Sequence, residues 1–411
     1  MSDTRRDTEA VVLDGPRPLG PALPAEVIAA IAAIRRRRKL ETSEVFRRHE
    51  AEIDRVTGAL VHLPAASQPV HPSAGPGLRV ASWNIQRGIH LEGIKRYLVT
   101  TPELQGADVL MLNEVDLGMS RSGNLDIAAE LAGHLGLHMV FGNSYLCLDY
   151  GDLRDGTPQG RNRESMHGNA ILSRYPIRRA ENVSVAPSRD KFHSSEKRLG
   201  HKKALWAEID TPAGPLPVAA AHLDSYGSSA QRAAQLRDLL QRIDEHGLGE
   251  RVLVGGDFNT TTYDAKSIPR LIWNLVLKLW RGGFPHAIHS YVHPYEIYEK
   301  VIFDVLREHR FEYEPFNAMG VGTTRYEVGT YESESKVTEM LPGFAVKILR
   351  WKLKPWNGVA PLKIDWFAGR GLQPLGEAES SLAPTVLARP SWEGTLLSDH
   401  DPIVVDLDLG G

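Results

Sequence analysis

From Leu78 onward the chain is punctuated by short apolar runs: Leu78–Trp83, Val109–Leu112, Ala170–Leu172, Val218–Ala221, Val252–Val254, Ile364–Phe367 and Ile403–Leu407. Helical segments lie between them. Apolar runs this short, bounded by turn residues, predict buried strands. Many strands with intervening helices indicate a sizeable mixed α/β sheet domain. The stretch before Leu78 reads differently. Residues to about Pro21 are rich in charge, Gly and Pro, and are expected to be loosely ordered. Pro24–Leu40 predicts a helix with Val27, Ile28, Ile31 and Ile34 on one face, ending in the cations Arg35–Lys39 where the helix dipole favours them. A second helix is expected over Ser43–Val56, with Phe46, His49, Ile53 and Val56 inward. The arginine run suits a solvated helix end, or a nucleic-acid or anionic-membrane contact. Ser67–Gly77 is a linker by composition. The expected division is therefore 1–77, a helical extension and linker, and 78–411, the main domain, with an aromatic-rich insertion at about 263–356.

Bulk properties narrow the field. A length of 411 residues allows one large domain or two smaller ones, and the net charge of −3 provides no global positive field for nucleic acid. Any such patch must be local. The single cysteine, Cys147, cannot form an internal disulfide, which fits a reducing compartment. The first residues lack a basic segment followed by an apolar one, and no stretch is apolar enough to span a bilayer, so a cytoplasmic location is expected.

Polar side chains recur where the apolar runs stop. Val252–Val254 is followed by Gly255 and Gly256, then by Asp257 and Asn259, which point to one side if the extended geometry continues. A carboxylate and an amide delivered together by a strand end suit metal-assisted attack on phosphate. Asn84, Glu114 and His222 end three other runs; Asp365 lies inside one, and Asp399 and His400 precede the last. Singly, such residues cap turns or sit satisfied in cores. One per strand end in a single domain, they would repel one another or stay unsatisfied unless a cation and an anion sat among them.

The motifs Ser82-Trp-Asn84-Ile, Leu112-Asn-Glu114-Val, Gly168-Asn-Ala-Ile, His222-Leu-Asp224, Gly256-Asp257-Phe-Asn259, Ile364-Asp365-Trp and Ser398-Asp399-His400-Asp-Pro402 follow in order to the C-terminus. On these the chain resembles the endonuclease/exonuclease/phosphatase superfamily, which includes deoxyribonuclease I, neutral sphingomyelinases and inositol-polyphosphate phosphatases. The resemblance implies an α/β (α+β) fold of two packed, mostly antiparallel sheets flanked by helices. That is a four-layer α/β/β/α sandwich, with the N-terminal helical extension outside it. It further implies Glu114 as principal Mg²⁺ ligand, with Mn²⁺ as an alternative ion and Asn84 and Asp399 completing or orienting the metal's surroundings. Asp365 would accept a hydrogen bond from His400. His400 would then either take a proton from the attacking water or stabilise the phosphorane as a cation. Asp257 is the rival base or a second-metal ligand, Asn259 holds the nucleophile, and His222 donates to a phosphate oxygen or protonates the leaving group. Asn169 fits either the same rim or a structural place, and Arg87 and Arg198–Lys203 either phosphate contacts or exposed charge.

Between Asn259 and Asp365, Ile272, Trp273, Val276, Leu279 and Trp280 form one face of an expected helix, Asn274, Lys278 and Arg281 another, and Gly282-Gly283 stop it. Pro294 is expected to open a second helix with Tyr298, Val301, Ile302 and Val305 on one side. Lys347, Arg350, Lys352 and Lys354 interleave with Ile348, Trp351, Leu353 and Trp356. An interfacial lid for a lipid phosphodiester, a base-stacking surface beside a basic groove, and ordinary core packing all fit. The expected function is a Mg²⁺-dependent phosphodiesterase acting on a small or lipid-linked phosphodiester by in-line attack of water. A deoxyribonuclease I-like nuclease is the alternative, and an inactive binding module the third reading. The sequence carries no signal of oligomeric state.

Overall fold

Strand formation follows the burial of both faces of the apolar runs. The computed structural model describes residues 9–75, 77–151, 160–187, 190–194, 196–263, 268–328, 347, 350–376 and 382–409. Twelve strands carry the architecture: β1 (Val11–Val12), β2 (Leu60–Leu63), β3 (Leu78–Arg87), β4 (Val109–Leu117), β5 (His138–Cys147), β6 (Met166–Ser173), β7 (Ile177–Ser184), β8 (Lys203–Thr211), β9 (Gly214–His222), β10 (Val252–Asp257), β11 (Asp365–Arg370) and β12 (Ile403–Asp408). One sheet runs β12-β3-β4-β6-β5-β2, with Gln373–Pro374 outside β12; the other runs β1-β7-β8-β9-β10-β11. Neighbours are antiparallel except β3 with β4 and β9 with β10. Parallel neighbours need a crossover. Helix α5 (Leu91–Thr100) supplies the first, and α7 (Ser229–Glu245) the second.

Leu78, Val80, Val109, Met111 and Ile171 of the first sheet meet Leu205, Ala207, Val218, Leu253 and Phe367 of the second in one core. The intervening residues point outward. Ala81, Trp83, Leu110 and Leu112 pack under α5 and α6 (Ile127–Leu135), and Trp206, Ala219, Val254 and Trp366 under α7 and α9 (Lys300–Glu308). These central strands are thus apolar on both sides, the expected four-layer sandwich forms, and among the described residues neither sheet closes into a barrel.

The residues before the expected boundary at Gly77 share this frame. Strand β1 pairs with β7, β2 pairs with β5, and Ile31 and Ile53 join the core beneath the first sheet. The two helices expected there are four: α1 (Ala25–Ala33), α2 (Arg37–Glu41), α3 (Glu44–Arg48) and α4 (Glu50–Thr57). Ile34 is extended, and Lys197 Nζ donates to the carbonyls of Ala32 and Ile34, so α1 ends before the arginine run. His49, expected on an inward face, sits at φ −114°, ψ 17° between α3 and α4.

Helix α8 (Ile268–Val292) is broken at Gly282–Gly283; Gly283 has φ 70°, ψ −160°, a region essentially reserved for glycine. Pro294 does not open the next helix. Helix α9 starts at Lys300 and buries Ile302, Phe303, Val305 and Leu306, leaving Val301 outside. The side chains of Ile272 and Ile348 lie outside the described residues. No helix among the described residues is long and apolar enough to cross a membrane.

Candidate active site

Register brings the polar strand ends together. Across β9, β10 and β11, His222 pairs with Asp257 and Asp257 with Asp365, while Asn84 of β3 pairs with Asn113 of β4. Gly256, at φ 134°, lets β9 and β10 approach, since a Cβ there would sit 2.0 Å from the Ala221 carbonyl oxygen. Both β3 and β4 then slip register, after Asn84 and after Leu112. Gln86, Arg87 and Glu114 take φ of 46°, 69° and 52°. Left-handed backbone costs a non-glycine residue about 1–2 kcal/mol. Bulges re-aim side chains, and here they turn Glu114 out of the strand alternation. Asn259 is also left-handed, at φ 50°, so it does not reach the Asp257 side by continued extension as expected. Instead the turn brings its backbone N–H to Asp257 Oδ1 at 2.9 Å, while its Nδ2 donates to the Leu223 carbonyl at 2.9 Å.

Asp257 is the hub. Asn84 Nδ2 donates to its Oδ2 at 3.2 Å, and His222 Nε2 and His400 Nε2 lie 3.4 and 3.8 Å from the same oxygen. His222 Nε2 is also 3.9 Å from Glu114 Oε1. Behind His400, Nδ1–H donates to Asp365 Oδ2 at 2.9 Å, and that oxygen accepts a second bond from Thr323 Oγ1 at 2.7 Å. This fixes the imidazole tautomer, leaving Nε2 toward Asp257. Asp399 is anchored through its backbone, N–H to Gln86 Oε1 at 3.1 Å and carbonyl to Thr324 Oγ1 at 2.7 Å.

The charges divide sharply. Burial works against ionising Glu114, but Arg87, His222, His167 and Lys202 outweigh it and hold the carboxyl well below its ordinary range. Burial, reinforced by Asp365, pushes Asp257 up to about 7 in spite of His400 and Lys202. His400 moves the other way. Burial opposes its charge, yet Asp365 and Asp257 raise it to about 10. Burial and Lys202 lower His222 well below the usual imidazole value, and burial brings Lys202 itself to about 7. A carboxyl whose folded pKa is raised stabilises the fold at low pH and loses that contribution as pH rises through the folded value. Asp257→Asn, neutral at every pH, should therefore raise the melting temperature of chelator-treated protein by a few degrees at pH 8 and by clearly less at pH 5 (thermal denaturation at both pH values). A larger gain at pH 5 would contradict the assignment.

Asp257, Asp365 and His400 bring one ligand atom each within 4.8 Å of one another. An ion is not what this trio suits. His400 carries its proton near neutrality, and Asp365 is already taken by His400 and Thr323. The oxygen donors on the other side fit a hard cation better. Glu114 is ionised and one quarter exposed, and Asn84 lies beside the buried Asp257, whose reluctance to ionise a nearby cation would relieve.

Several contributors were not singled out from sequence. Asn113 Oδ1 accepts the Asp257 N–H at 2.9 Å, Asn113 Nδ2 donates to Asn169 Oδ1 at 2.9 Å, and Asn169 Nδ2 donates to the Lys203 carbonyl at 2.9 Å. This amide ladder stitches the two sheets behind the site and gives Asn169 the structural place. Asn113 interrupts an apolar run, the one signal that could have marked it. Below Glu114, Asp116 accepts both Arg121 (2.6 and 2.9 Å) and His167 Nδ1 (2.8 Å). Of the Arg198–Lys203 cluster, Arg198 is paired with Glu196 and Lys203 donates to the Thr57 carbonyl at 2.7 Å. Lys202 is the member whose charge reaches Asp257 and Glu114.

The fold is thus a two-sheet sandwich that gathers carboxylates, amides and imidazoles at one rim. The family model described as "Endonuclease/Exonuclease/phosphatase family" matches residues 81–301, and the chain belongs to that family. Its members are hydrolases acting on phosphoester bonds. Among curated proteins, the uncharacterized protein YbhP of Escherichia coli K12 is 40% identical over 105 residues, which is 24% of this chain and 37% of that protein. YbhP of Shigella flexneri gives the same figures. The chain thus spans little more than a third of these relatives' length. Among solved structures, an endonuclease/exonuclease/phosphatase from Beutenbergia cavernae is similar at 20% identity and TM-score 0.45, over 81% of this chain and 72% of that one. The 3′ phosphatase NExo from Neisseria, bound to product DNA hairpin, is similar at 15% identity and TM-score 0.45, over 80% and 99%.

Proposed function

We propose that the chain is a Mg²⁺-dependent phosphodiesterase whose substrate is a lipid-linked phosphodiester. The observation carrying the reaction is the meeting of ionised Glu114, Asp257, neutral His222 and the Asp365-held His400 at one rim. Glu114 would hold Mg²⁺ (or Mn²⁺), with Asn84 and Asp399 completing or orienting its surroundings, and the ion would supply charge neutralisation at the phosphate. Asp257 takes the proton of the attacking water, which Asn259 helps to orient. His400, kept cationic by Asp365, faces the charge that builds on the phosphoryl oxygens. His222 donates from Nε2 to a non-bridging oxygen, and Lys202 and Arg87 add positive charge beside Glu114.

The lipid class rests on α8. Trp273, Val276 and Trp280 share one helical face and are 62%, 47% and 82% exposed, which speaks against ordinary core packing. Lys278, on the opposite face, is fully buried and donates to Thr262 O and Oγ1 at 2.7 and 2.6 Å, three residues beyond Asn259. The helix that carries this outward face is therefore tied to the chain three residues past Asn259. Exposed Arg281 and the cations around exposed Trp351 complement an anionic bilayer, and tryptophan favours the headgroup region. The second reading, a nuclease, draws on Lys352 Nζ lying 4.4 Å over the Trp351 ring, a pairing that also suits stacked bases.

Purified protein with Mg²⁺ should release product from an anionic phospholipid and from bis-p-nitrophenyl phosphate. Trp273→Ala with Trp280→Ala should reduce phosphatidylglycerol-vesicle binding and lipid turnover at least about 10-fold, leaving the soluble diester within two-fold. Salt-sensitive nicking of plasmid DNA with nothing released from lipid would sink the lipid class. No turnover of any phosphoester with Mg²⁺ or Mn²⁺ would sink the enzyme.

A further inference from the structure

Where α8 ends, the sequence His286-Ala-Ile-His289-Ser-Tyr-Val-His293-Pro-Tyr-Glu296 concentrates imidazoles on one side of the helix and sets a carboxylate just past its end. Histidines four apart lie on one helical face, a spacing that metal sites use. His289, His293 and Glu296 each bring a ligand atom within 4.8 Å of the others. The His289 and His293 rings stack 4.1 Å apart at 17°, and His289 Nε2 lies 3.0 Å from Glu296 Oε2. Two ligands on a tetrahedral Zn²⁺, each at about 2.0–2.1 Å, stand roughly 3.3 Å apart, so the His289–Glu296 separation is already close to a zinc bite. The tautomer of His293 is set as well. Its Nδ1–H donates to the His289 carbonyl at 3.1 Å, so the Nε2 lone pair remains for an ion. A backbone carbonyl behind the ring is the usual outer partner of a metal-bound histidine. His286 is engaged elsewhere, with Nε2 3.1 Å from the Tyr298 hydroxyl.

We propose that His289, His293 and Glu296 form a second metal site, selective for Zn²⁺ or a similar borderline ion and separate from the oxygen-rich rim at Glu114. Two imidazoles and one carboxylate are poor ligands for Mg²⁺, which keeps its waters and prefers oxygen, but a good set for Zn²⁺ with water in the open position. The ion ties the last turn of α8 to the turn that follows. In that turn Glu299 N–H donates to the Pro294 carbonyl at 2.9 Å, and Glu299 Oε1 accepts the Thr262 N–H at 2.9 Å. Arg232 closes the same buried pair with Glu299. The zinc thus fixes the segment that supports the chain just beyond Asn259.

The test is a titration of chelator-treated full chain with Zn²⁺, and with Co²⁺ as a spectroscopic probe, in excess Mg²⁺. Wild type should take up one equivalent with micromolar or tighter affinity, show the visible absorption of a low-coordinate Co²⁺ site, and melt at a higher temperature when loaded. His289→Ala and Glu296→Gln, both at exposed positions, should each weaken uptake at least about 10-fold and lose the thermal shift. Glu114→Gln should leave this equivalent intact. Uptake unchanged in both His289→Ala and Glu296→Gln, or uptake lost in Glu114→Gln instead, would overturn the site, the second result placing the ion at the rim.

Discussion

Glu114→Gln should lower phosphodiester hydrolysis by about 10²–10⁴-fold, as expected for a group that organises charge in the transition state. The substitution is nearly isosteric, and glutamine meets the left-handed backbone at this position no worse than glutamate. What changes is the charge. Four cationic or potentially cationic neighbours, Arg87, His222, His167 and Lys202, surround this carboxylate. An amide in its place leaves them facing one another and replaces the anionic oxygen donor that a Mg²⁺ ion would seek with a neutral, weaker one. Two readouts follow. The Mg²⁺ concentration for half-maximal rate should rise steeply, and the thermal stabilisation that Mg²⁺ gives wild type should largely disappear. Activity within a few-fold of wild type at saturating Mg²⁺ would remove Glu114 from the metal's surroundings and with it the proposed arrangement.

What the chain discloses and what it hides divides on whether a buried strand is mostly apolar or carries polar residues. Strands β3, β4, β9, β10, β11 and β12 are packed on both faces and apolar enough to show up as short runs, even where Arg79, Asp365 or Asp406 interrupts one. Strands β5, β7 and β8 do not, because their polar residues are satisfied by partners distant in sequence. Asn143 of β5 donates to the Val56 carbonyl at 2.7 Å and accepts the His167 N–H at 3.1 Å. Glu181 of β7, fully buried, accepts Arg242 at 2.8 Å and lies 2.7 Å from His246 Nε2. No local pattern reveals such a pairing. The motif residues of the site could be picked out because strand ends collect them, but the bulges that aim Glu114 are backbone events without a residue signature. Helix α9 was misplaced for a related reason. Val301 and Ile302 are equally apolar in sequence, and only the Trp366–Tyr313 surface decides that Phe303 and Ile302 turn inward.

His400→Ala should cost a comparable 10²–10⁴-fold, but the substitution alone does not say whether His400 acts as a cation or as a base. Asp365→Asn does. The Asp365 carboxylate is the strongest influence raising His400, ahead of Asp257, and it accepts the Nδ1–H at 2.9 Å. Asparagine keeps the size and an acceptor oxygen for that hydrogen bond while removing the charge, so the imidazolium loses its proton at lower pH. If His400 works as a cation, the alkaline limb of the rate profile, near pH 10 in wild type, must move toward neutrality. The acid limb, set by Asp257 near 7 and lower once Mg²⁺ is bound, also moves down, because Asp365 helps to raise that carboxyl, so it is not the limb that discriminates. If His400 were the base, the same change would free its lone pair at lower pH and raise the rate on the acid side. Whether the rate falls or rises through the His400 limb therefore decides between the two chemistries. Profiles of kcat/KM for bis-p-nitrophenyl phosphate between pH 5 and about 10.5 report it directly, because limbs in kcat/KM belong to the free enzyme. A rate that rises rather than falls through the limb near pH 10, and that gains on its acid side in Asp365→Asn, would assign the base to His400 and take that role from Asp257.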